Sequence, residues 1–233
     1  GQAAGGVEDR VLRGLSLDVV KGSKVAIIGR TGSGKSSLFS ALLRFYRSTG
    51  HLTVQGEDWK SMRLPRLRKA IRLIPQEPQL FGHTVREALC GPVSFEDEAV
   101  WMVLNRVGLH TRIARLPMRL DTPMRQGSLS QGEAMLLCLA RALLHPAAVM
   151  LCDEVSSSVD LATELRIMNL ILSLSNVTVL CICHRLHHIH HFSHVAILQR
   201  GRVVEFGSIP VLLSDPLSAL TEHMRSAGLA KEL

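Results

Sequence analysis

The stretch "IIGRTGSGKSSLFSALLRF", residues 27–45, decides the fold. Apolar residues lead into it and read as a buried strand, "KVAIIG" (Lys24 to Gly29). Three glycines, Gly29, Gly32 and Gly34, then crowd into six positions, and Lys35, Ser36 and Ser37 follow before apolar residues return at helical spacing. Glycine lets the backbone enter positive φ and turn its amides inward. Those amides and the N-terminus of the next helix together make an anion nest. "GRTGSGKS" (Gly29 to Ser36) matches G-x-x-x-x-G-K-[ST], the P-loop. Lys35 is expected to set a positive point charge on the β- and γ-phosphates, and the Ser36 hydroxyl to ligate Mg²⁺. Gly29, Arg30, Thr31, Gly32, Ser33, Gly34 and Ser37 are expected to line the phosphates with them.

A P-loop needs a second carboxylate for the metal. "VMLCDE" (Val149 to Glu154) supplies four apolar residues and then two acids. A strand buried on both faces reads this way, and ligands sit at the C-terminal ends of strands in open α/β sheets. Asp153 is expected to hold Mg²⁺, directly or through water, and Glu154 to orient or deprotonate the attacking water.

The rest of the chain fits that frame. Its 233 residues suit one large domain, with or without a sub-lobe. Short β-branched runs alternate with helical patterns, which predicts an α/β fold with a largely parallel sheet. Helices are expected over about 36–46, 95–107, 130–144 and 160–172. Strands are expected at "IRLIPQ", "AVMLCDE", "TVLCICH", "HVAILQ" and "RVVEF", with "HLTVQGEDW" an antiparallel strand and turn. Trp101 reads as helix core, and Met135, Leu136, Leu139 and Leu143 as the packed face of one helix.

Net charge is +7, compatible with an anionic ligand, a nucleic acid or an anionic membrane surface. The basic run "RLPRLRKAIR" alternates with leucines and reads as a solvated helix face. One Tyr and two Trp furnish base-stacking platforms poorly. The five cysteines sit in apolar runs and read as small core residues in a reducing compartment. No apolar run is long enough to span a bilayer. The chain opens on Gly1 without a secretory pattern and is expected to be a soluble piece of a longer one.

Six motifs in order complete the reading. Besides the P-loop and "VMLCDE" they are "LIPQEPQLF", "LSQGEAMLLCLARALL", "SSVD" (Ser157 to Asp160) and "CHRL". Over almost its whole length the chain resembles the nucleotide-binding domain of ATP-binding cassette (ABC) transporters. In "VLRGLSL", "GRTGSGKSSL" and "RVVEFGS" it looks closest to the second such domain of subfamily C, the multidrug-resistance-protein type. The resemblance implies a P-loop NTPase of the ABC ATPase type over residues 1–233: a RecA-like core, an antiparallel β subdomain and a helical sub-lobe at about 77–145. It implies ATP and Mg²⁺ as ligands. Gln76 would contact Mg²⁺ and the water and couple the site to transmembrane domains. His184 would contact the γ-phosphate, and Asp160 would bridge two domains. Ser130 and Gly132, in the signature, would face ATP held by a second nucleotide-binding domain, expected on the same polypeptide at the cytosolic face of a membrane. The implied work is ATP-driven export, with no nucleic acid expected. The rivals are a soluble ABC ATPase acting on nucleic acid and a regulatory nucleotide-binding module with little turnover.

Three departures from the family pattern stand out. "GQAAGG" offers no aromatic to stack on adenine before Val11. The signature reads LSQGE rather than LSGGQ. Ser130 and Glu133 thereby acquire the S-x-x-E spacing of a capping box, which predicts a self-occupied helix start and a weaker contact with the partner's nucleotide. Finally, His184, His187, His188 and His191 fall at i, i+3, i+4 and i+7 of "HRLHHIHHFSH". That spacing would put them on one face of a surface helix, as titratable histidines or as a transition-metal site.

Overall fold

The computed structural model describes residues 11–124, 128–157 and 159–229. The region before Val11, part of the segment 77–145 and Ser158 of "SSVD" lie outside them. In chain order the first elements are β1 (Lys24–Ile28), α1 (Lys35–Leu42), β2 (Thr53–Val54), β3 (Glu57–Asp58), α2 (Leu64–Ala70) and β4 (Ile71–Ile74). Next come α3 (Val85–Cys90), α4 (Asp97–Arg106), α5 (His110–Ala114), α6 (Gln131–Leu144), β5 (Val149–Asp153) and α7 (Leu161–Leu172). The last are β6 (Thr178–Ile182), β7 (His194–Gln199), β8 (Arg202–Ser208), α8 (Ile209–Ser214) and α9 (Ala219–Ser226). They fall into two compact units, one of Gly1–Ile71, Ala148–Asp153 and Ser175–Leu233, the other of Arg72–Ala147 and Glu154–Leu174.

In the first unit the strands run in the order β5-β6-β1-β7-β8. β1 pairs in parallel with β6 and with β7, and β5 pairs in parallel with β6. Two-sided burial explains the unbroken apolar sequences: every residue of β6 and four of the five in β1 are buried. β8 returns antiparallel to β7 through Arg200 and Gly201, at φ 47° and 76°. Positive φ at both central residues is the hairpin turn that matches strand twist. The same chemistry closes the β2–β3 hairpin at Gln55 and Gly56.

α1 ends at Leu42, short of the expected Tyr46. The cause lies farther along the chain. Trp59 is buried and its indole N–H donates to the Leu42 carbonyl at 2.8 Å, while Arg44 enters positive φ and donates to the Met62 carbonyl at 2.6 Å. The first bond satisfies a carbonyl that a longer helix would have used internally; the second ties Arg44, past the helix end, to the chain after β3.

The second unit is helical around α6. Met135 to Ala140 are all buried, so this helix is covered nearly all round rather than along one stripe. It packs against α3, α4 and α7. Trp101 is only half-buried, set edge-on to His110 at 5.1 Å, and is not core as the sequence suggested. Four of the five cysteines are buried and Cys183 half-buried, all as free thiols.

Gly201 fixes the mouth of the sheet. Its amide donates to the Ser33 carbonyl at 2.9 Å, and its carbonyl accepts from the Arg13 amide at 2.8 Å. A Cβ here would lie 1.8 Å from the Val11 carbonyl oxygen. Gly201→Ala is therefore expected to cost more than the ~1–3 kcal/mol of its left-handed backbone alone, lowering the melting temperature by roughly 2–4 °C per kcal/mol. Gly22→Ala, at φ +84° with nothing within 4 Å, is the control that carries backbone strain alone. Equal melting temperatures for the two variants would refute the steric account.

Candidate functional site

Gly29, Gly32 and Gly34 stand at φ 150°, 80° and 106°, the inward-turned backbone that the sequence predicts. At Gly29 the constraint is also one of space: a Cβ would lie 2.3 Å from the Leu198 carbonyl oxygen and 2.7 Å from Ser33 Oγ. Ser33 is pinned by its backbone, its amide donating to the Arg30 carbonyl at 3.1 Å and its carbonyl accepting from Gly201. Its hydroxyl is buried and has no hydrogen-bond partner among the described residues. A buried hydroxyl left unmatched is costly, and a phosphate oxygen in this loop would satisfy it. Lys35 is buried at 6% exposure and folds over the loop, Nζ donating to the carbonyls of Gly29 at 2.8 Å and Arg30 at 3.3 Å. α1 starts at Lys35 with Gly34 as N-cap, no side-chain cap and no acid in its first turn. Its leading amides and positive dipole end thus face no side-chain acceptor of the helix's own. Ser36 is exposed at that end.

The parallel register sets two further residues on the same edge of the sheet. Ile27, Ile182 and Asp153 are level across β1, β6 and β5. Gly29 lies two residues beyond Ile27 and the exposed His184 two beyond Ile182, so the P-loop, Asp153 and His184 share the C-terminal edge. Cys152 pairs in register with Cys181 behind Asp153. A hydrogen bond to the Cys181 thiol and burial push the Cys152 thiol well above its usual range, which keeps it neutral beside that acid. A glycine cradle, an unmatched buried hydroxyl, an exposed serine and a carboxylate fit a triphosphate with Mg²⁺.

The other expected residues belong to the second unit. Gln76 is exposed, two residues beyond β4. Glu154 follows Asp153 directly and is half-buried, with its backbone in the left-handed region at φ 50°. Asp160 caps α7, accepting from the Thr163 amide at 3.0 Å and hydroxyl at 2.7 Å. That hydroxyl and amide hold the Asp160 carboxyl below its ordinary range. A Cβ on Gly132 would lie 3.0 Å from Thr163 Cγ2, so the starts of α6 and α7 meet at this glycine.

The signature start is closed, as its spacing predicts. Ser130 Oγ accepts from the Glu133 amide at 3.2 Å, and Glu133 Oε2 accepts from the Ser130 amide at 2.8 Å. Arg112 adds a contact that sequence spacing did not reveal, Nε donating to Glu133 Oε1 at 3.0 Å and a terminal nitrogen to the Ser128 carbonyl at 3.3 Å. Burial raises the Glu133 pKa, but the Ser130 amide and Arg112 outweigh it and hold the carboxyl below its ordinary value.

The histidine run departs from expectation. Leu186–His191 is a 3-10 helix, in which i and i+3 eclipse and the i+4 and i+7 alignment is lost. His188 is buried, whereas His187, His190 and His191 are exposed. Among the described residues no group of three or more His, Cys, Asp or Glu is placed to hold a metal ion. The single α-helical face and the transition-metal reading are therefore set aside, while the exposed His184, His187, His190 and His191 agree with surface histidines.

Comparison with known proteins agrees with this geometry. A family model described as ABC transporter matches residues 12–157. ATP-binding cassette sub-family C member 10 of Mus musculus is 40% identical over 220 residues, covering 93% of this chain and 15% of that protein. Sub-family C member 2 of Rattus norvegicus is 37% identical over 211 residues, covering 89% and 14%. Among solved structures, that of a bacterial Atm1-family ABC exporter with ATP bound superposes with a TM-score of 0.84 at 32% identity, covering 94% of this chain and 39% of the other. The chain thus spans about one seventh of the length of the two sub-family C relatives. Among the described residues no helix is long and apolar enough to cross a membrane.

The capping box gives a pH signature. A carboxyl with a depressed folded-state pKa stabilises fully above its unfolded value, here 4.5, and loses that contribution as pH falls through the lower folded value. Glu133→Ala is expected to cost about 0.5–2 kcal/mol at neutral pH. The gap in melting temperature between wild type and variant should close on acidification below pH 4.5. A gap that stays constant from neutral to acid pH would rule out an ionised cap.

Proposed function

We infer from its sequence, fold and site that this chain, which belongs to the ABC transporter family, is the ATP-binding and ATP-hydrolysing domain of a membrane exporter. The observation that carries the reading is the P-loop of Gly29 to Ser37. Its three glycines take positive φ, Lys35 is folded over it, and Ser33 Oγ is buried without a hydrogen-bond partner among the described residues. Lys35 neutralises the β- and γ-phosphates. Ser36 and Asp153 hold Mg²⁺, with Gln76 reaching the same ion, and bound Mg²⁺ supplies charge neutralisation and Lewis acidity. Glu154 orients the attacking water and takes its proton, and His184 contacts the γ-phosphate.

Ser130 and Gly132 face ATP held by a second nucleotide-binding domain, on the same polypeptide, and Asp160 lies at that pairing surface. ATP closes the pair, hydrolysis reopens it, and the Gln76 region passes the change to transmembrane domains. The helical sub-lobe at about 77–145 carries the signature. The domain sits at the cytosolic face of the membrane, and within subfamily C it takes the part of the second domain. Nucleic acid is not a partner in this reading: the anionic ligand is the triphosphate. A second reading, a nucleotide-binding module with little turnover, is favoured by the closed start of α6.

Two substitutions test the assignment. Lys35→Ala should weaken ATP binding at least tenfold, about 1.4 kcal/mol; unchanged affinity by titration contradicts the phosphate role. Glu154→Gln should keep ATP affinity and lose about 10²–10⁴-fold in turnover. Native turnover in that variant would remove Glu154 from the chemistry, and slow single-turnover hydrolysis in the wild type would select the regulatory reading.

A further inference from the structure

α7 carries an acid on its inward face. Glu164 is fully shielded from solvent, at 0% exposure, on a helix whose other buried residues are Ile167, Met168 and Ile171. A glutamate is almost never fully buried unless paired, and an apolar residue would fill the position at no desolvation cost. One of its bonds explains what the carboxylate holds: Ser156 Oγ donates to Glu164 Oε1 at 3.1 Å.

Ser156 lies in the turn that opens at Glu154. The Ser157 amide donates to the Glu154 carbonyl at 3.0 Å and closes this turn, with Glu154 itself at φ 50°. A non-glycine residue in the left-handed region costs of order 1–3 kcal/mol and persists only where its surroundings over-determine it. The closing bond fixes the turn to itself. The Ser156–Glu164 bond fixes it to α7.

We propose that Glu164 is a positioning residue for hydrolysis: through Ser156 Oγ it holds the turn of residues 154–157 and so aims the Glu154 carboxylate. The inference rests on the reading that Glu154 acts on the water. Glu164 touches neither nucleotide nor water in this account. The route proposed is the bond to Ser156, so loss of the Ser156 hydroxyl removes it. A misplacement of about 1 Å at a reacting group can cost up to 10²-fold in rate.

The test uses the full-length protein with single-turnover ATP hydrolysis, ATP titration and thermal denaturation. Ser156→Ala is expected to lower the hydrolysis rate by about tenfold or more with ATP affinity unchanged, and to lower the melting temperature, since it takes a donor from a buried carboxylate. Glu164→Gln keeps an acceptor oxygen for Ser156 and should stay within about twofold of wild type. In a Glu154→Gln background, Ser156→Ala should add nothing to the defect. A Ser156→Ala rate equal to wild type overturns the proposal. So does an equal loss in the Glu154→Gln background, which would place the serine's effect elsewhere, or a rate loss matched by an equal loss of ATP affinity, which would mark a merely structural bond. If Glu154→Gln itself hydrolyses at the native rate, the failure belongs to the assignment of Glu154. Because Ser156→Ala removes only a hydroxyl, the outcome does not depend on Glu164 variants folding.

Discussion

The approach of one backbone to another sets the geometry of the phosphate cradle. The Gly201 amide donates to the Ser33 carbonyl at 2.9 Å, and the Leu198 carbonyl lies where a Cβ of Gly29 would be. The loop between β1 and α1 is thereby held against the end of β7 and the β7–β8 turn by main-chain atoms, whose positions no rotamer change can relax. Side chains at Gly29 and Gly201 are excluded for the same reason. Preorganisation of this kind matters because the donors for a polyanion must face one point before it arrives. A floppy glycine loop would lose that ordering entropy on binding; here much of it is already lost in folding. Ser33 shows the cost, since its hydroxyl is held in a buried place with no hydrogen-bond partner among the described residues.

The two glycine-bearing helix starts of this chain are built in opposite ways. At α1 the N-cap is Gly34, and neither a side-chain cap nor a first-turn acid occupies the dipole end. At α6 the Ser130 hydroxyl and the Glu133 carboxylate take two of the leading donors, and Arg112 braces the carboxylate. The first arrangement leaves donors for an external anion, and the second spends them internally. Internal capping contributes about 0.5–2 kcal/mol to the helix. An acid near a polyanion opposes it by up to about 2 kcal/mol per unit charge at roughly 8 Å and an effective dielectric of 20. The two effects are of the same size. A closed α6 is therefore a trade between a stable helix without nucleotide and a tight contact with it, and Arg112 shifts that trade by withdrawing charge from Glu133. On the proposed reading this is why a P-loop with all its parts can sit in the same chain as a signature that departs from its family's pattern.

Local chemistry was legible in the sequence and long-range contacts were not. The P-loop, the strand ending in Asp153 and the Ser130–Glu133 box each depend on residues within seven positions of one another, so their patterns survive as text. At the end of α1, Trp59 donates to the Leu42 carbonyl and Arg44 to the Met62 carbonyl, contacts over 17 and 18 positions. The sequence "SALLRFY" keeps its helical spacing through that point and gives no warning. The histidine run has ideal α-helical spacing yet forms a 3-10 helix with His188 buried, since the packing of one ring decided what periodicity could not. Arg112 reaches Glu133 over 21 positions. Glu164 was invisible for the opposite reason. An acid in a first helical turn normally reads as a dipole partner facing water, and only the packing of α7 shows this one to be enclosed.

The consecutive acids Asp153 and Glu154 bring these themes to one peptide. In an extended strand, successive side chains point to opposite faces, so two neighbouring acids would ordinarily diverge by half a turn. Asp153 keeps the geometry of β5 and stays level with Ile182. Glu154 does not continue it: at φ 50° it leaves the strand through the left-handed region, and the direction of its side chain is set by the turn that follows. Two chemically near-identical residues are in this way separated by backbone conformation, without any difference in their immediate sequence. A strand-end acid fixed by sheet hydrogen bonds suits a role that needs a constant position, such as holding a cation. An acid on a turn that the Ser156 hydroxyl ties to α7 suits a role whose rate depends on aim. The division of labour proposed for the pair follows from how the chain leaves the sheet, and it gives the tether a share in turnover through the acid it directs.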